Sequence, residues 1–173
     1  MSEKSQPSDD QRSGTLDRWD ILILGELQGD ARLSNAELSA RIGLSAAPTW
    51  RRVRRLEQQG FITGYRAEID RRKIGLGVLA FVRVDAERNN AAATRALEAA
   101  IRELPEVVAC HYISGAGTFE LQVVSTDLDA YSRWSMERLF NLPNVKDIHT
   151  SFSLGEVKAS AALPLAHLRA DDR

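Results

Sequence analysis

Residues 34–60, SNAELSARIGLSAAPTWRRVRRLEQQG, constrain the chain more than any other stretch, because one helix must stop and another start within three residues. Ser34 and Glu37 form an S-x-x-E capping box, in which each side chain satisfies a free N–H at the helix start. Gly43 supplies the left-handed residue that ends this helix. Ser45 can cap the next helix, Pro48 sits in its first turn where a missing N–H costs little, and Gly60 ends it. Upstream, LDRWDILILGEL over 16–27 reads as a helix with Asp17 and Asp20 in its first turn, where they suit the helix dipole. Three short helices, the last two joined through Gly43-Leu44-Ser45, make a helix-turn-helix unit over 15–65.

The third helix concentrates charge. The chain of 173 residues carries net −1, but residues 1–44 hold −3, 45–75 hold +5 and 76–173 hold −3. Arg51, Arg52, Arg54 and Arg55 account for most of that island, and within the helix only Glu57 lies close enough to pair with them. At about 100° per residue, Ala46, Thr49, Val53 and Leu56 fall on one side, and Ala47, Arg51, Arg54, Arg55 and Gln58 on the other. Small residues followed by guanidiniums suit a helix entering the major groove, with Arg51 and Arg55 placed to read base edges and Arg52, at the flank, to meet phosphate. Trp50 falls on the border and is expected to pack against the second helix or the segment after Gly60. An overall pI near 6.3 argues against a protein that coats nucleic acid indiscriminately.

After Gly60 the rhythm changes. FITGYRAEI alternates about Thr63-Gly64 and reads as a small strand pair or wing, leading into a linker over 66–76 that carries Arg71, Arg72 and Lys73. Residues 77–160 then read strand, helix, strand, strand, helix, strand. Such a βαββαβ order folds into a ferredoxin-like four-stranded antiparallel sheet with both helices on one face. The uncovered face is expected to be apolar, with Leu79 and Phe81 buried against a second subunit. Polar ends at 1–14 and 161–173 are expected to be tails. The fold class is thus α+β: a winged helix-turn-helix domain followed by a ferredoxin-like βαββαβ oligomerisation domain. With 43% hydrophobic residues each module can hold a core.

Several function classes fall away. There is no apolar run of membrane-spanning length and no apolar leader, which points to a soluble cytoplasmic protein with no membrane partner. Cys110 is the single cysteine, and with His111, His149 and His167 it gives no metal-ligand spacing, so neither metal nor cofactor is expected. Cys110 and His111 point to opposite faces of a strand and cannot act as nucleophile and base, so no enzyme is expected. An RNA-stacking sheet would need aromatics on its central strands, and the third strand offers Phe119 alone. An RNA binder, or a purely structural chromatin protein using the basic helix, is the alternative reading.

The segment LDRWDILILGELQGDARLSNAELSARIGLSAAPTWRRVRRLEQQGFITGY, followed by a βαββαβ module with CHYISGAGTFEL and NLPNVKDIHTSFSLGEVK, resembles the Lrp/AsnC (leucine-responsive/asparagine-responsive regulator) family of transcription factors over roughly 16–160. The resemblance implies a regulator bound to double-stranded DNA at an imperfect palindrome, as a homodimer that assembles to tetramers or octamers. It also implies a small effector, commonly an amino acid. Carried over residue by residue, the DNA side comprises Ser34, Ser45, Ala47, Thr49, Arg51, Arg52, Arg54, Arg55 and Gln58. The effector pocket, between subunits, comprises Gly115, Ala116, Gly117, Thr118, Leu139, Phe140, Thr150, Ser151 and Phe152. Where the family usually has two acids in the loop, this chain has Ala116 and Thr118. A zwitterionic amino acid is then expected to bind weakly unless Glu120 or Glu156 supplies a carboxylate.

Overall fold

The computed structural model describes residues 16–87, 90–114, 118–159 and 162–169; the tail expected over 1–14 lies outside them. The chain divides into two compact units, one holding the residues up to Glu68 together with those from Lys158 onward, the other Ile69–Val157.

In the first unit, α1 (Arg18–Gly29), α2 (Asn35–Ile42) and α3 (Ala46–Gln58) are the three expected helices. The α1 start is a second capping box that the sequence reading did not identify: the Asp17 side chain accepts from the Asp20 N–H at 3.0 Å, and Asp20 accepts from the Asp17 N–H at 3.0 Å. The Ser34–Glu37 box forms as expected at α2, and Gly43 sits at φ 71°, ψ 33°. Ser45 stands at the α3 N-cap without a side-chain cap bond. Instead Asn35 Nδ2 donates to the Ala46 carbonyl at 2.8 Å and pins the start of α3 to α2. Ile23, Leu38, Ile42 and Leu56 form the core of this unit. Each such side chain contributes on the order of 1.5–3 kcal/mol by leaving water. Ala46, expected on the side of Thr49, Val53 and Leu56, is exposed, and on α2 Ser39 is buried beside Leu38 and Ile42.

The wing does not form: no strand occurs between Phe61 and Gly77. Phe61 and Ile62 spend their N–H groups on the Leu56 carbonyl at the end of α3, at 2.9 and 3.2 Å, and Tyr65 folds back to donate to Glu57 at 3.0 Å. Donors used to close a helix are lost to a two-stranded ribbon, which is marginal even with a full ladder.

Nor is the C-terminal segment a plain tail. Gln28 of α1 clamps Leu163 at both backbone groups, accepting from its N–H at 2.6 Å and donating to its carbonyl at 3.4 Å. Leu165 then reaches to 3.9 Å of where a Cβ on Gly25 would stand, ahead of a short turn of helix at Ala166–Arg169.

The second unit has the expected order: β1 (Val78–Ala86), α4 (Ala91–Arg102), β2 (Val107–Ile113), β3 (Thr118–Ser125), α5 (Leu128–Glu137) and β4 (Val145–Phe152). The sheet is antiparallel, ordered β2-β3-β1-β4. Ala80, Val82 and Val84 of β1 and Phe119, Leu121 and Val123 of β3 pack with Leu97, Ile101, Tyr131 and Leu139 into one core. The alternate residues face away from it. That open face is not the apolar surface expected: beyond Leu79 and Phe81 it carries a row across all four strands, His111, Glu120, Arg83 and His149, paired in register.

Candidate nucleic-acid interface and effector region

The face of α3 turned away from the core follows from its spacing. Ala47, Arg51, Arg54 and Gln58 recur at steps of four, three and four residues, so they form one stripe, and all four are exposed. Ser45 at the start of α3 and Ser34 at the start of α2 are exposed as well. Arg54 lies over the Trp50 ring at 5.7 Å from its centroid and 3.7 Å from Glu57. Trp50 is 55% exposed, less packed than expected, with its inner edge beside Leu33, Leu38, Val53 and Tyr65 around a depression of about 170 Å³.

Thr49 does not belong to this surface. It is 0% exposed and its hydroxyl donates to the Ser45 carbonyl at 3.0 Å, so the helix places it in the core, and the expected contact with DNA is corrected.

Arg52 and Arg55 occupy the next row, facing α1. Arg52 Nη1 lies 2.6 Å from Asp17 Oδ2 and 3.0 Å from Asp20 Oδ1, while Arg55 Nη2 pairs with Asp20 Oδ2. Asp20 is 0% exposed and the Arg52 side chain 23%. Partial burial opposes the charge on Asp17, but the Asp20 N–H and then Arg52 outweigh it and hold its carboxyl below the usual range. Burial likewise opposes the charge on Arg52, and Asp17 and Asp20 raise its affinity for the proton regardless. Within α3 itself Glu57 is the acid near these arginines. The sequence signal for this long-range pairing is two matched pairs at i,i+3: Asp17/Asp20 at the start of α1 and Arg52/Arg55 on α3.

In the second unit, Gly115, Ala116 and Gly117 lie outside the described residues. Leu139 is 0% exposed and belongs to the core, which corrects its place among pocket residues, whereas Phe140 is 62% exposed. Thr150 and Phe152 lie on the helix side, where Thr150 Oγ1 is 2.8 Å from the Tyr131 hydroxyl and the Phe152 ring meets Tyr131 edge-on at 5.1 Å. Ser151, opposite Phe81, projects from the other face. Thr118 pairs with Asp85, which pairs with Asp147, three residues along β4 from Thr150. At about 3.3 Å per residue that is roughly 10 Å of strand. Among the described residues, Thr118 therefore stands apart from Thr150 and Phe152 within one chain.

Thr118 has an acidic neighbour all the same. Its hydroxyl donates to Asp85 Oδ1 at 2.8 Å, and the other Asp85 oxygen lies 3.3 Å from Arg83 Nη2 and 4.0 Å from His149 Nε2. The strand pairing of β1 with β3 sets an acid at the foot of the loop, invisible to a reading of the loop alone. Glu120 stands in register with His111 and Arg83. Phe119, the aromatic an RNA-stacking sheet would need on β3, is 1% exposed on the helix side.

Comparison with known proteins agrees with both units. Residues 16–63 match the family model of a winged helix-turn-helix DNA-binding domain, and residues 79–163 that of the Lrp/AsnC ligand binding domain. The leucine-responsive regulatory protein of Salmonella typhimurium is 40% identical over 163 residues, covering 94% of this chain and 96% of its own. That of Escherichia coli K12 is 39% identical over the same shares. A transcriptional regulator from Neisseria meningitidis, solved as a complex with L-Met, superposes with a TM-score of 0.84 at 39% identity, covering 89% of this chain and 99% of its own. Escherichia coli AsnC superposes with a TM-score of 0.76 at 25% identity, covering 84% and 97%. Among the described residues no helix is long and apolar enough to cross a membrane. With a helix-turn-helix unit that presents a basic stripe and a βαββαβ unit built as the ligand-binding domain, the chain belongs to the Lrp/AsnC family of DNA-binding transcription regulators.

Proposed function

We propose that α3 enters the major groove of an imperfectly palindromic operator, that two chains act together as a homodimer able to assemble to tetramers or octamers, and that an amino acid modulates the complex in the cytoplasm. The observation that carries the DNA contact is the exposed stripe Ala47, Arg51, Arg54 and Gln58, in which a small residue permits close approach and two unburied guanidiniums follow. Ser45, whose hydroxyl makes no cap bond at the α3 start, donates to a flanking phosphate, and Ser34, whose N–H and hydroxyl both donate to Glu37, lines the same surface without donating. Each guanidinium at a guanine edge contributes about 1–3 kcal/mol of discrimination. Arg51→Ala with Arg54→Ala therefore lowers affinity for duplex recovered by genome-wide mapping by two orders of magnitude or more, measured by fluorescence anisotropy. Unaltered affinity would reject α3 as the reading helix.

For the effector, support comes from the L-Met carried by the Neisseria meningitidis neighbour and from the separation of Thr118 from Thr150 and Phe152 within one chain, which calls for a second chain to complete the pocket. Asp85, beside Thr118, replaces the missing loop acids as the partner of the effector's ammonium group.

A further inference from the structure

We infer that Asp20, assisted by Asp17, decides which arginines of α3 reach DNA: it withholds Arg52 and Arg55 and leaves Arg51 and Arg54 as the reading cations. The inference rests on α3 being the reading helix. Asp20 is fully buried and offers one oxygen to each guanidinium, Oδ1 to Arg52 at 3.0 Å and Oδ2 to Arg55, while Asp17 holds Arg52 a second time at 2.6 Å. Two acids against two arginines make a neutral cluster on the flank of a helix whose outer stripe stays cationic. To reach a phosphate, Arg52 or Arg55 would have to strip a buried carboxylate of one of its two counter-charges, a heavier loss than an exposed ion pair would impose.

Asp20 is also tied down from its own side, because one of its oxygens accepts from the Asp17 N–H at the α1 cap. The guanidiniums are thus tethered to an acid that cannot follow them. Cations that touch only phosphate strengthen binding to every sequence equally, and cations at base edges distinguish sequences. Neutralising Arg52 and Arg55 lowers background affinity and leaves discrimination to Arg51 and Arg54. Asp20 acts here as a positioning residue, through the arginines it holds.

The test uses the full chain and a random-sequence duplex across a salt series, with folding followed by circular dichroism. Each cation newly at a phosphate steepens the dependence of log K on log salt by about 0.9. Asp20→Asn keeps an acceptor for the cap and removes the charge, so it is expected to steepen the slope by one to two and to tighten random-sequence binding at low salt about ten-fold or more. Asp17→Asn also retains its cap and is expected to steepen the slope by up to one, which keeps the inference testable if Asp20→Asn fails to fold. Arg52→Gln is expected to leave the slope of the parent chain unchanged. Folded Asp17→Asn and Asp20→Asn proteins with the parental slope, or a loss of about one unit in Arg52→Gln, would overturn the inference. If Arg51→Ala with Arg54→Ala leaves duplex binding intact, the assignment of α3 has failed instead, so the two failures are told apart.

Discussion

Asp85 illustrates what a residue gains from its neighbours across a sheet. The loop with Ala116 and Thr118 in place of acids reads as a pocket without an anion, yet the ladder from β1 to β3 puts the Asp85 carboxylate 2.8 Å from the Thr118 hydroxyl. An ammonium group placed there would meet a counter-charge, so under the proposed role of Asp85 an amino acid is expected to bind despite the missing loop acids. Isothermal titration with the twenty common amino acids is expected to find binding that Asp85→Asn weakens by about ten-fold, one lost charge-assisted contact being worth about 1.5 kcal/mol or more. Binding that survives Asp85→Asn but falls with Glu120→Gln would move the carboxylate to Glu120. Thr49 teaches the converse: a residue at a position expected to touch DNA is placed in the core by the pitch of its own helix.

At the scale of single elements, caps and periods were legible because they are local chemistry. The Ser34–Glu37 box, the Gly43 stop and the order of the six elements of the second unit stand as the sequence predicts. The wing was misread because the Phe61 and Ile62 donors went to the end of α3, a competition that the alternation of FITGYRAEI does not register. Gly43 offers a clean test of local control. It sits in the left-handed region with no atom within 4 Å of a built Cβ, so Gly43→Ala adds backbone strain and no clash. Denaturant unfolding is expected to show a loss of about 1–2 kcal/mol in the helical unit, partly recovered by Gly43→Asn, with the sheet unit unaffected. An undiminished midpoint in the alanine variant would show that the turn relaxes to another conformation.

For the whole molecule, the open sheet face is the surface proposed for association between copies of the chain. Phe81 is 43% exposed there, flanked in register by Gln122 and Ser151, and the row from His111 to His149 crosses the sheet two residues further along β1. A face holding a central aromatic within polar and charged groups suits the apolar centre and polar rim of a symmetric contact, in which each charged row meets its own copy. Phe81→Asp is therefore expected to shift sedimentation at micromolar concentration from dimer or larger towards monomer, and to weaken operator binding because two reading helices are no longer held together. A variant that sediments as the parent does would place the contact elsewhere.

Read from the residues alone, the α2 start and stop, the βαββαβ order and the basic island at 45–75 were determined, since caps, hydrophobic period and charge act over a few neighbouring residues. The tertiary structure decided which cations remain available. Arg52 and Arg55 are 32 or more positions from the acids that hold them, and only the packing of α1 beside α3 brings those groups together. It decided likewise that Asp85 stands at the foot of the loop, 33 positions from Thr118, and that Leu163 returns to Gln28 across 135. Even where matched spacings exist, as in Asp17/Asp20 and Arg52/Arg55, no local period says which pair meets which, because that depends on which faces the core has already consumed.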